Sequence, residues 1–260
     1  MVKRTIIISQ ARTGSSRLPN KVLKEINGLS LLEIHICRLK KVKNAQKIII
    51  ATTDNERDES VVTICKKTKV DFFRGSEDNV LERFWMTAKD IDTDFIVRVT
   101  ADCPLIDPIL IDQMILKMYS LELDYLSNTL KETFPDGQDI EIFSKKALLQ
   151  AYNNVTLKSH KEHVTLFIKE NSNLHNKYGI FKVKSIERDL DIISDIRLTV
   201  DESADFEVIK FLIESLGIDK DYLSYSHFYL ENNLSQLNGS ITRNEGLLKS
   251  LNDEKRSRII

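Results

Sequence analysis

Apolar runs and amphipathic segments alternate along the first half of the chain. Residues 47–52 contain a continuous apolar run, as expected for a strand that is buried on both faces of a parallel sheet. Residues 31–42 instead repeat apolar positions every three or four residues, which predicts a helix. The same criteria predict strands at residues 5–9, 47–52, 70–73 and 94–99, and helices at residues 31–42, 57–69, 79–89 and 108–119. This alternation predicts an α/β fold: a Rossmann-like wound, mostly parallel sheet with helices on both faces.

The second half has a less regular pattern. We expect strands at residues 124–128, 138–143, 178–183 and 196–200, and helices at residues 145–153, 160–171 and 203–216. The expected buried stripe of the last helix consists of Phe206, Ile209, Phe211, Leu212 and Leu216. The pattern favours one domain over residues 1–240, with a small inserted lobe at about residues 129–190 and a polar C-terminal tail at 241–260.

Right-handed crossovers place the loops that follow parallel strands on one edge of the sheet, where open α/β sheets bind ligands. The first such loop lies within SQARTGSSRLPNK at residues 9–21, which carries Arg12, Arg17 and Lys21 beside Gly14 and Ser15. Small residues let backbone N–H groups approach phosphate oxygens, while cations neutralise the charge. The composition therefore predicts a polyanion-binding loop, and a solvated basic turn is an equally supported alternative.

Two carboxylates follow predicted strands on the same edge. Asp102, in TADCPLID, is a candidate Mg²⁺ ligand, because hard cations prefer carboxylate oxygen and phosphates complete the coordination shell. The alternative role for Asp102 is to cap the helix that begins near Pro108, for which Asp107 is better placed. Asp201, in IRLTVDESADFE, is a second candidate, and the pattern supports a structural role for it equally well. For the helix that follows Asp201, Ser203 is the expected N-cap.

The segment GSEDNVLER at residues 75–83 predicts a helix start, with Asp78 as its N-terminal cap. Free N–H groups at this terminus would accept oxygen ligands of a base or sugar, and Arg83 lies one turn further along. A solvated helix start is the alternative, and these residues taken alone favour it.

The predicted lobe carries further polar candidates. Asp136, Asp139 and Glu141 lie close together in FPDGQDIE, and period-two geometry places the last two on one strand face. They would bind hydroxyls or an amine of an acceptor, or else form a solvated face. His160 and His163 lack cysteine or acid partners at metal-ligand spacing, which argues against zinc. His163 remains a candidate for contacting a substrate.

Composition restricts the classes of partner. The net charge of −1 gives no electrostatic case for binding nucleic acid. No apolar run approaches the length of a membrane span, and the N-terminus lacks a signal-peptide core, so no membrane partner is expected. Cys37, Cys65 and Cys103 are scattered and odd in number, which favours a reducing cytoplasm.

Several motifs together resemble a known family. In chain order they are ARTGSSRLPNKVL, ATTDNERD, FRGSEDNVLERF, RVTADCPLID, YLSNTL, PDGQDIEIF, EHVT and IRLTVDESADFE. This order resembles the cytidylyltransferases related to spore-coat polysaccharide biosynthesis protein F, which are similar to the CMP-Kdo and CMP-acylneuraminate synthetases. The resemblance spans nearly the entire chain, and RNEGLLKSL at residues 243–251 is similar to the tail of the spore-coat group.

The resemblance implies a fold of the nucleotide-diphospho-sugar transferase type that binds CTP with Mg²⁺. Such an enzyme would transfer a cytidylyl group to a sugar-type acceptor for envelope polysaccharide synthesis and would release pyrophosphate. Dimers are frequent among related synthetases, so a homodimer is expected, with the lobe contributing to acceptor binding or dimerisation.

The family signature ARxxSxRLPxK falls on residues 11–21. It implies that Arg12 and Lys21 bind the triphosphate, that Asp102 and Asp201 hold the metal, and that Arg12, Lys21 and Asp102 are catalytic. The implied substrate-binding residues are Ala11, Arg12, Gly14, Ser15, Arg17, Lys21, Asp78, Arg83, Thr100, Asp136, Asp139, Glu141 and His163.

Two departures from the family pattern stand out. The relatives that activate acidic sugars read QGDxP where this chain reads TADCP, so Thr100 replaces a longer amide. Asn20 replaces a usual glycine, and asparagine tolerates positive φ. A glycosyltransferase with a nucleotide-sugar donor is one alternative function, although TADCPLID lacks the acid pair that such enzymes typically carry. A nucleotide-binding protein without catalytic turnover is the other.

Overall fold

The computed structural model describes residues 2–189 and 191–257. Its strands are β1 (Thr5–Gln10), β2 (Glu25–Ile26), β3 (Leu29–Ser30), β4 (Lys47–Thr53), β5 (Asp71–Gly75), β6 (Phe95–Thr100), β7 (Tyr125–Ser127), β8 (Glu141–Ser144) and β9 (Val183–Ser185). Its helices are α1 (Leu31–Leu39), α2 (Glu59–Thr68), α3 (Val80–Ala88), α4 (Pro108–Ser120), α5 (Lys145–Asn154), α6 (Lys158–Glu162), α7 (Leu166–Glu170), α8 (Ser203–Leu216), α9 (Tyr222–Glu231), α10 (Ser235–Asn238) and α11 (Glu245–Ser257). Short 3-10 helices cover Lys21–Leu23, Glu56–Asp58 and Ile192–Asp195.

Seven strands form one sheet in the order β5-β4-β1-β6-β8-β7-β9. The strand β1 pairs in parallel with β4 and β6, and the register places Gln10 beside both Ala51 and Thr100. Within this sheet β8 runs antiparallel to its neighbours β6 and β7, while β9 pairs in parallel with β7. The mostly parallel wound sheet predicted from the sequence is confirmed. The ends of β1, β4 and β6 lie together on one edge as a result.

The helices cover both faces of the sheet, because successive strand residues point to opposite sides. In β1, Ile6 and Ile8 pack in a core with residues of α3 and α5, including Phe84. Ile7 belongs to the opposite core with residues of α4, including Met114. Among the described residues, no helix is long and apolar enough to cross a membrane.

The structure corrects two predicted helix caps. The N-cap of α3 is Asn79, whose side chain accepts the N–H three residues further on, and not Asp78. The N-cap of α8 is Glu202, which forms a reciprocal capping box with Asp205, and not Ser203. The prediction for α4 is confirmed, since the carboxylate of Asp107 accepts two N–H groups of its first turn.

The second half departs further from expectation. Residues 196–200 are not a sheet strand and share only an isolated bridge, between Asp136 and Arg197, because their apolar side chains pack against α8. The predicted strand at 178–183 is reduced to β9 and an isolated bridge between Ser172 and Phe181. Phe211, placed in the buried stripe of α8, is 40% exposed.

Two predicted segments have a different helical organisation. The helix expected at 160–171 is split into α6 and α7, with Val164 between them in the left-handed region at φ 45°. The region expected to be a polar tail contains α11, which packs on α6. Of the predicted domain and tail ranges, Met1, Leu190 and residues 258–260 lie outside the described residues.

Gly137 provides a test of the close contact between the turn before β8 and the segment at 196–200. It has φ of +100°, and a Cβ there would meet the backbone of Leu198 at 2.5 Å and of Thr199 at 2.7 Å. We expect Gly137→Ala to lower the free energy of unfolding by at least about 3 kcal/mol, because conformational strain and a backbone collision add. Urea unfolding monitored by circular dichroism measures this loss.

Gly28→Ala is the matched control for this prediction. Gly28 also has positive φ, at +78°, but a Cβ there has nothing within 4 Å. Only the conformational cost of about 1 kcal/mol applies to it. Equal losses in the two variants would contradict the proposed collision between the lobe connection and the segment at 196–200.

Candidate active site

The loop that follows β1 is held by a buried carboxylate. Asp58 accepts both the backbone N–H and the hydroxyl of Thr13, each at 2.7 Å, and also binds the hydroxyl of Thr53. Asn20 adopts the left-handed conformation at φ 57°, as its place in the sequence predicted. The loop therefore has a defined path that directs Lys21 toward the ends of the neighbouring strands.

Lys21 joins the two acids that were predicted from separate parts of the chain. Its ammonium lies 2.9 Å from Asp102 Oδ2 and 2.8 Å from Asp201 Oδ1, and the lysine residue is only 9% exposed. Burial opposes its charge, yet Asp102 and Asp201 raise the pKa of Lys21. Burial likewise opposes ionisation of Asp102, but Lys21 and the Thr100 hydroxyl lower the pKa of that carboxyl below its usual range. Lys21 and Asp102 are therefore both charged at neutral pH.

Backbone contacts fix the position of Asp102. Its carbonyl oxygen accepts the N–H of Val200 at 2.8 Å and the hydroxyl of Thr199 at 3.1 Å, which ties the end of β6 to the segment before Asp201. The fully buried His35 lies 2.9 Å from the Cys103 carbonyl oxygen. Burial lowers the pKa of His35 to about 4, so the imidazole is neutral and acts as a rigid support behind the turn.

Arg197 fixes the position of Asp201 from the other side. It donates to Asp201 Oδ2 at 2.9 Å, to Asp205 at 2.8 Å and to Asp136. Arg17 also pairs with Asp201, at 2.9 Å, and with Glu245 of α11 at 3.0 Å. In this arrangement Arg17 braces the loop against an acid. Two oxygen donors from different segments are thus held beside one cationic position.

The donor set at this position fits a hard divalent cation. Asp102 and Asp201 both converge on a single ammonium, and carboxylate oxygens are what Mg²⁺ prefers. Among residues 2–189 and 191–257 no group of three or more His, Cys, Asp or Glu side chains could hold a metal ion. Mg²⁺ commonly uses one or two carboxylates together with phosphates and water, so two acids suffice for a nucleotide-bound ion.

A cavity of about 450 Å³ opens beside this cluster, and we call it the loop cavity. The predicted loop residues that line it are Ala11, Arg12, Ser15, Arg17 and Lys21. The predicted residues from other segments that line it are Arg83, Thr100, Asp102, His163 and Asp201. Gly14 and Asp78, which were also predicted to bind substrate, do not line this cavity or the second cavity described below. Gly14 faces the Arg57 guanidinium, and Asp78 is the residue before Asn79, the N-cap of α3.

A second cavity of about 220 Å³ adjoins the first, and we call it the lobe cavity. The predicted acids Asp136, Asp139 and Glu141 all line it, and it shares Asp102 and Asp201 with the loop cavity. Asp136 pairs with Arg197, and Asp139 with Arg243 at 2.7 Å. These acids are not a solvated face, because each is engaged by a cation at the wall of a cavity.

Burial disfavours the ionised form of the three acids that line the lobe cavity. It raises the pKa of Asp136 to about 7, with the nearby Asp139 as the next cause. Burial also raises the pKa of Asp139. Burial disfavours the Glu141 carboxylate too, but Lys169 and Arg98 lower the pKa of Glu141 below its usual range.

Glu141 is the centre of the buried network under the lobe cavity. Its carboxylate accepts the hydroxyls of Tyr125 and Thr165, each at 2.5 Å, and pairs with Lys169 at 2.9 Å and with Arg98. Thr165 follows the strained Val164, since positive φ is rare for a β-branched residue. The strained residue directly follows His163, which lines both cavities.

The sequence reasoning missed several residues of these walls. Gln10 and Arg98 come from the strands β1 and β6, and Glu162, Gly246 and Ser250 come from α6 and α11. Arg98 could have been found, because it alternates with Thr100 along β6 and so faces the same side. Gln10 pairs in register with Thr100, lines the loop cavity and accepts a hydrogen bond from Arg98 at 3.2 Å. For α11 the polar composition gave no usable signal.

Comparison with known proteins identifies the family. The family model described as "Cytidylyltransferase" matches residues 6–235. The uncharacterized protein MJ1063 of Methanocaldococcus jannaschii is 39% identical over 77% of this chain and 79% of its own length. The spore coat polysaccharide biosynthesis protein SpsF of Bacillus subtilis is 33% identical over 82% of this chain and 87% of its own length.

A solved structure extends the similarity to three dimensions. A cytidylyltransferase from Leptospira borgpetersenii is 31% identical, superimposes with a TM-score of 0.85, and the match covers 93% of this chain and 100% of that chain. The parallel sheet, the basic loop after β1 and the family match agree. The chain belongs to the cytidylyltransferase family.

Proposed function

We propose that this protein couples CTP to a sugar-type acceptor and releases pyrophosphate, as a step in the synthesis of surface polysaccharide. The observation that carries this proposal is the cluster of Lys21, Asp102 and Asp201 at the junction of the loop and lobe cavities. One cavity would hold the nucleotide and the other the acceptor, so that the reacting groups meet beside the cluster. The family match favours this reaction over a glycosyltransferase.

Nucleotidyl transfer requires mainly alignment and charge neutralisation, and the loop cavity offers both. Lys21 and Arg12 would bind the triphosphate oxygens and stabilise the charge that grows on the leaving pyrophosphate. Arg12 now pairs with Glu77 at 3.0 Å, and its side chain is 45% exposed, so it can exchange this surface partner for phosphate. Asp102 and Asp201 would hold Mg²⁺, which neutralises charge on phosphate oxygens when bound.

The lobe cavity provides groups for an acceptor. Asp136 and Asp139 offer oxygens to hydroxyls, and His163, whose pKa is lowered by burial, offers a neutral imidazole. The buried Nε2 of His163 has no hydrogen-bond partner among the described residues. The proposal also includes a cytoplasmic location, which the three free cysteines support, and a homodimer, which rests on the family resemblance alone.

Asp102→Asn tests the proposed reaction. We expect pyrophosphate release from CTP, with Mg²⁺ and a panel of sugars and sugar phosphates, to fall on the order of a hundredfold or more, because a charge that stabilises the transition state is lost. The wild-type rates with CTP, UTP, GTP and ATP identify the donor. A coupled pyrophosphate assay measures all of these rates.

Asp219→Asn is the matched control, since Asp219 pairs with Lys41 on the surface, is 71% exposed and lines neither cavity. It should keep the wild-type rate. Equal rates in wild type and Asp102→Asn would refute the role given to Asp102. Absence of release from every nucleotide and acceptor in the wild type would refute the function itself.

Glu141→Gln tests the buried support under the acceptor cavity. Removing this charge leaves Arg98 and Lys169 without their shared acid, so we expect a loss of about 3–5 kcal/mol in the free energy of unfolding at pH 7. Glu141 has a lower pKa folded than unfolded, so its stabilisation is complete above the unfolded value of 4.5 and is lost as pH falls below it.

The difference in the free energy of unfolding between wild type and Glu141→Gln should therefore become smaller below about pH 4.5. Urea unfolding at several pH values measures this difference. Glu187→Gln serves as a control, because Glu187 pairs with Lys131 at the surface and is 42% exposed. If the difference in the free energy of unfolding between wild type and Glu141→Gln stays constant from pH 7 to pH 3, the carboxylate charge is not what stabilises the network.

A further inference from the structure

Arg83 differs from the other arginines of the site in having no acid partner. It is 2% exposed and lines the loop cavity, yet no carboxylate among the described residues forms an ion pair with it. Its NH1 group donates to the Ser76 carbonyl oxygen at 2.5 Å, and its buried Nε has no hydrogen-bond partner in the described part of the chain. A buried guanidinium with free donors is unfavourable unless something compensates it.

Two of the three acids near Arg83 are engaged by other groups, and the third, Asp54, forms no ion pair with it. Glu77 is shared by Arg12 and Arg57, and Asp58 accepts hydrogen bonds from Thr13 and Thr53. Arg12 and Arg57 therefore share one carboxylate, while Arg83 contacts no acid in the described part of the chain. Burial, and next the nearby Arg12, lower the pKa of Arg83 to about 10, so the group stays charged at neutral pH although it forms no ion pair with a described residue.

From this buried, unpaired donor on the wall of the loop cavity we propose that Arg83 joins Arg12 in binding the pyrophosphate portion of the nucleoside triphosphate. The inference rests on the proposed function and goes beyond it by assigning the leaving group to a particular end of the loop cavity. The helix start at residues 75–83 was expected to face a base or sugar, or to be solvated. A buried guanidinium with an unpaired Nε favours an anion, because a charge-assisted hydrogen bond to phosphate would satisfy that donor.

The site is formed by the packing of α3 rather than by a mobile side chain. Arg83 lies in the first turns of α3, and the Cβ that a residue at Gly75 would carry lies 3.4 Å from its Cγ. Its carbonyl oxygen accepts the Thr87 hydroxyl at 2.6 Å. A guanidinium held in this way loses little conformational freedom when an anion arrives.

The test compares Arg83→Met and wild type in binding inorganic pyrophosphate, CTP, CMP and cytidine with Mg²⁺, by isothermal titration calorimetry. We expect Arg83→Met to weaken binding of pyrophosphate and CTP about 30-fold or more, and to leave CMP and cytidine within about threefold. Arg83→Lys, which keeps the charge but loses the planar donors, should retain an intermediate affinity.

A second readout separates ligand binding from support of the fold. Without ligand, Arg83→Met should unfold at the same temperature as wild type or higher, because an uncompensated buried charge is removed. Arg188→Met changes the net charge equally, but Arg188 pairs with Asp191 and lines neither cavity, so it should leave every affinity unchanged.

The outcomes are distinguishable. Equal weakening of CTP, CMP and cytidine would place the base or ribose at Arg83 and overturn the inference. Unchanged pyrophosphate affinity in Arg83→Met, with a lower unfolding temperature, would make Arg83 a structural residue and also overturn it. If wild type binds none of the four probes, the proposed function fails and the inference with it.

Discussion

The contact of one lysine with two aspartates organises this molecule. Lys21 comes from the loop after β1, Asp102 from the end of β6, and Asp201 from a segment that belongs to no strand of the main sheet. Each charge compensates for the burial of the others. If one of the three segments moved away, it would leave a buried charge without its partner. The same three side chains that form the candidate site therefore also hold these segments together.

The fold was predictable where local pattern and global structure agree. The run at residues 47–52 and the amphipathic segment at 31–42 became β4 and α1, because a parallel sheet with helices on both faces rewards those periodicities. The prediction of a strand was wrong where apolar and polar residues alternate for another reason. In the segment at 196–200 the apolar residues pack on α8 while Arg197 and Thr199 face the acids, so an alternating pattern arises without a sheet partner.

The site was predictable residue by residue only in part. Asp102 and Asp201 follow segments that were predicted to be strands, Lys21 lies in the loop after β1, and the structure brings the three together. Arg98 lies inside the strand predicted at residues 94–99 and was not singled out, although it lines both cavities. Partners such as Arg197 with Asp136, or Arg243 with Asp139, are distant in sequence, and no local pattern encodes such pairs.

The last helix changes how the boundary of the enzyme should be drawn. The family match ends at residue 235, whereas Gly246 and Ser250 form part of a cavity wall and Glu245 reaches Arg17. A protein shortened to the matched region would keep Lys21, Asp102 and Asp201, but one side of both cavities would be open to water. Because α11 contributes to the cavity walls but no strand to the sheet, changes in its sequence can alter the cavities without disturbing the sheet.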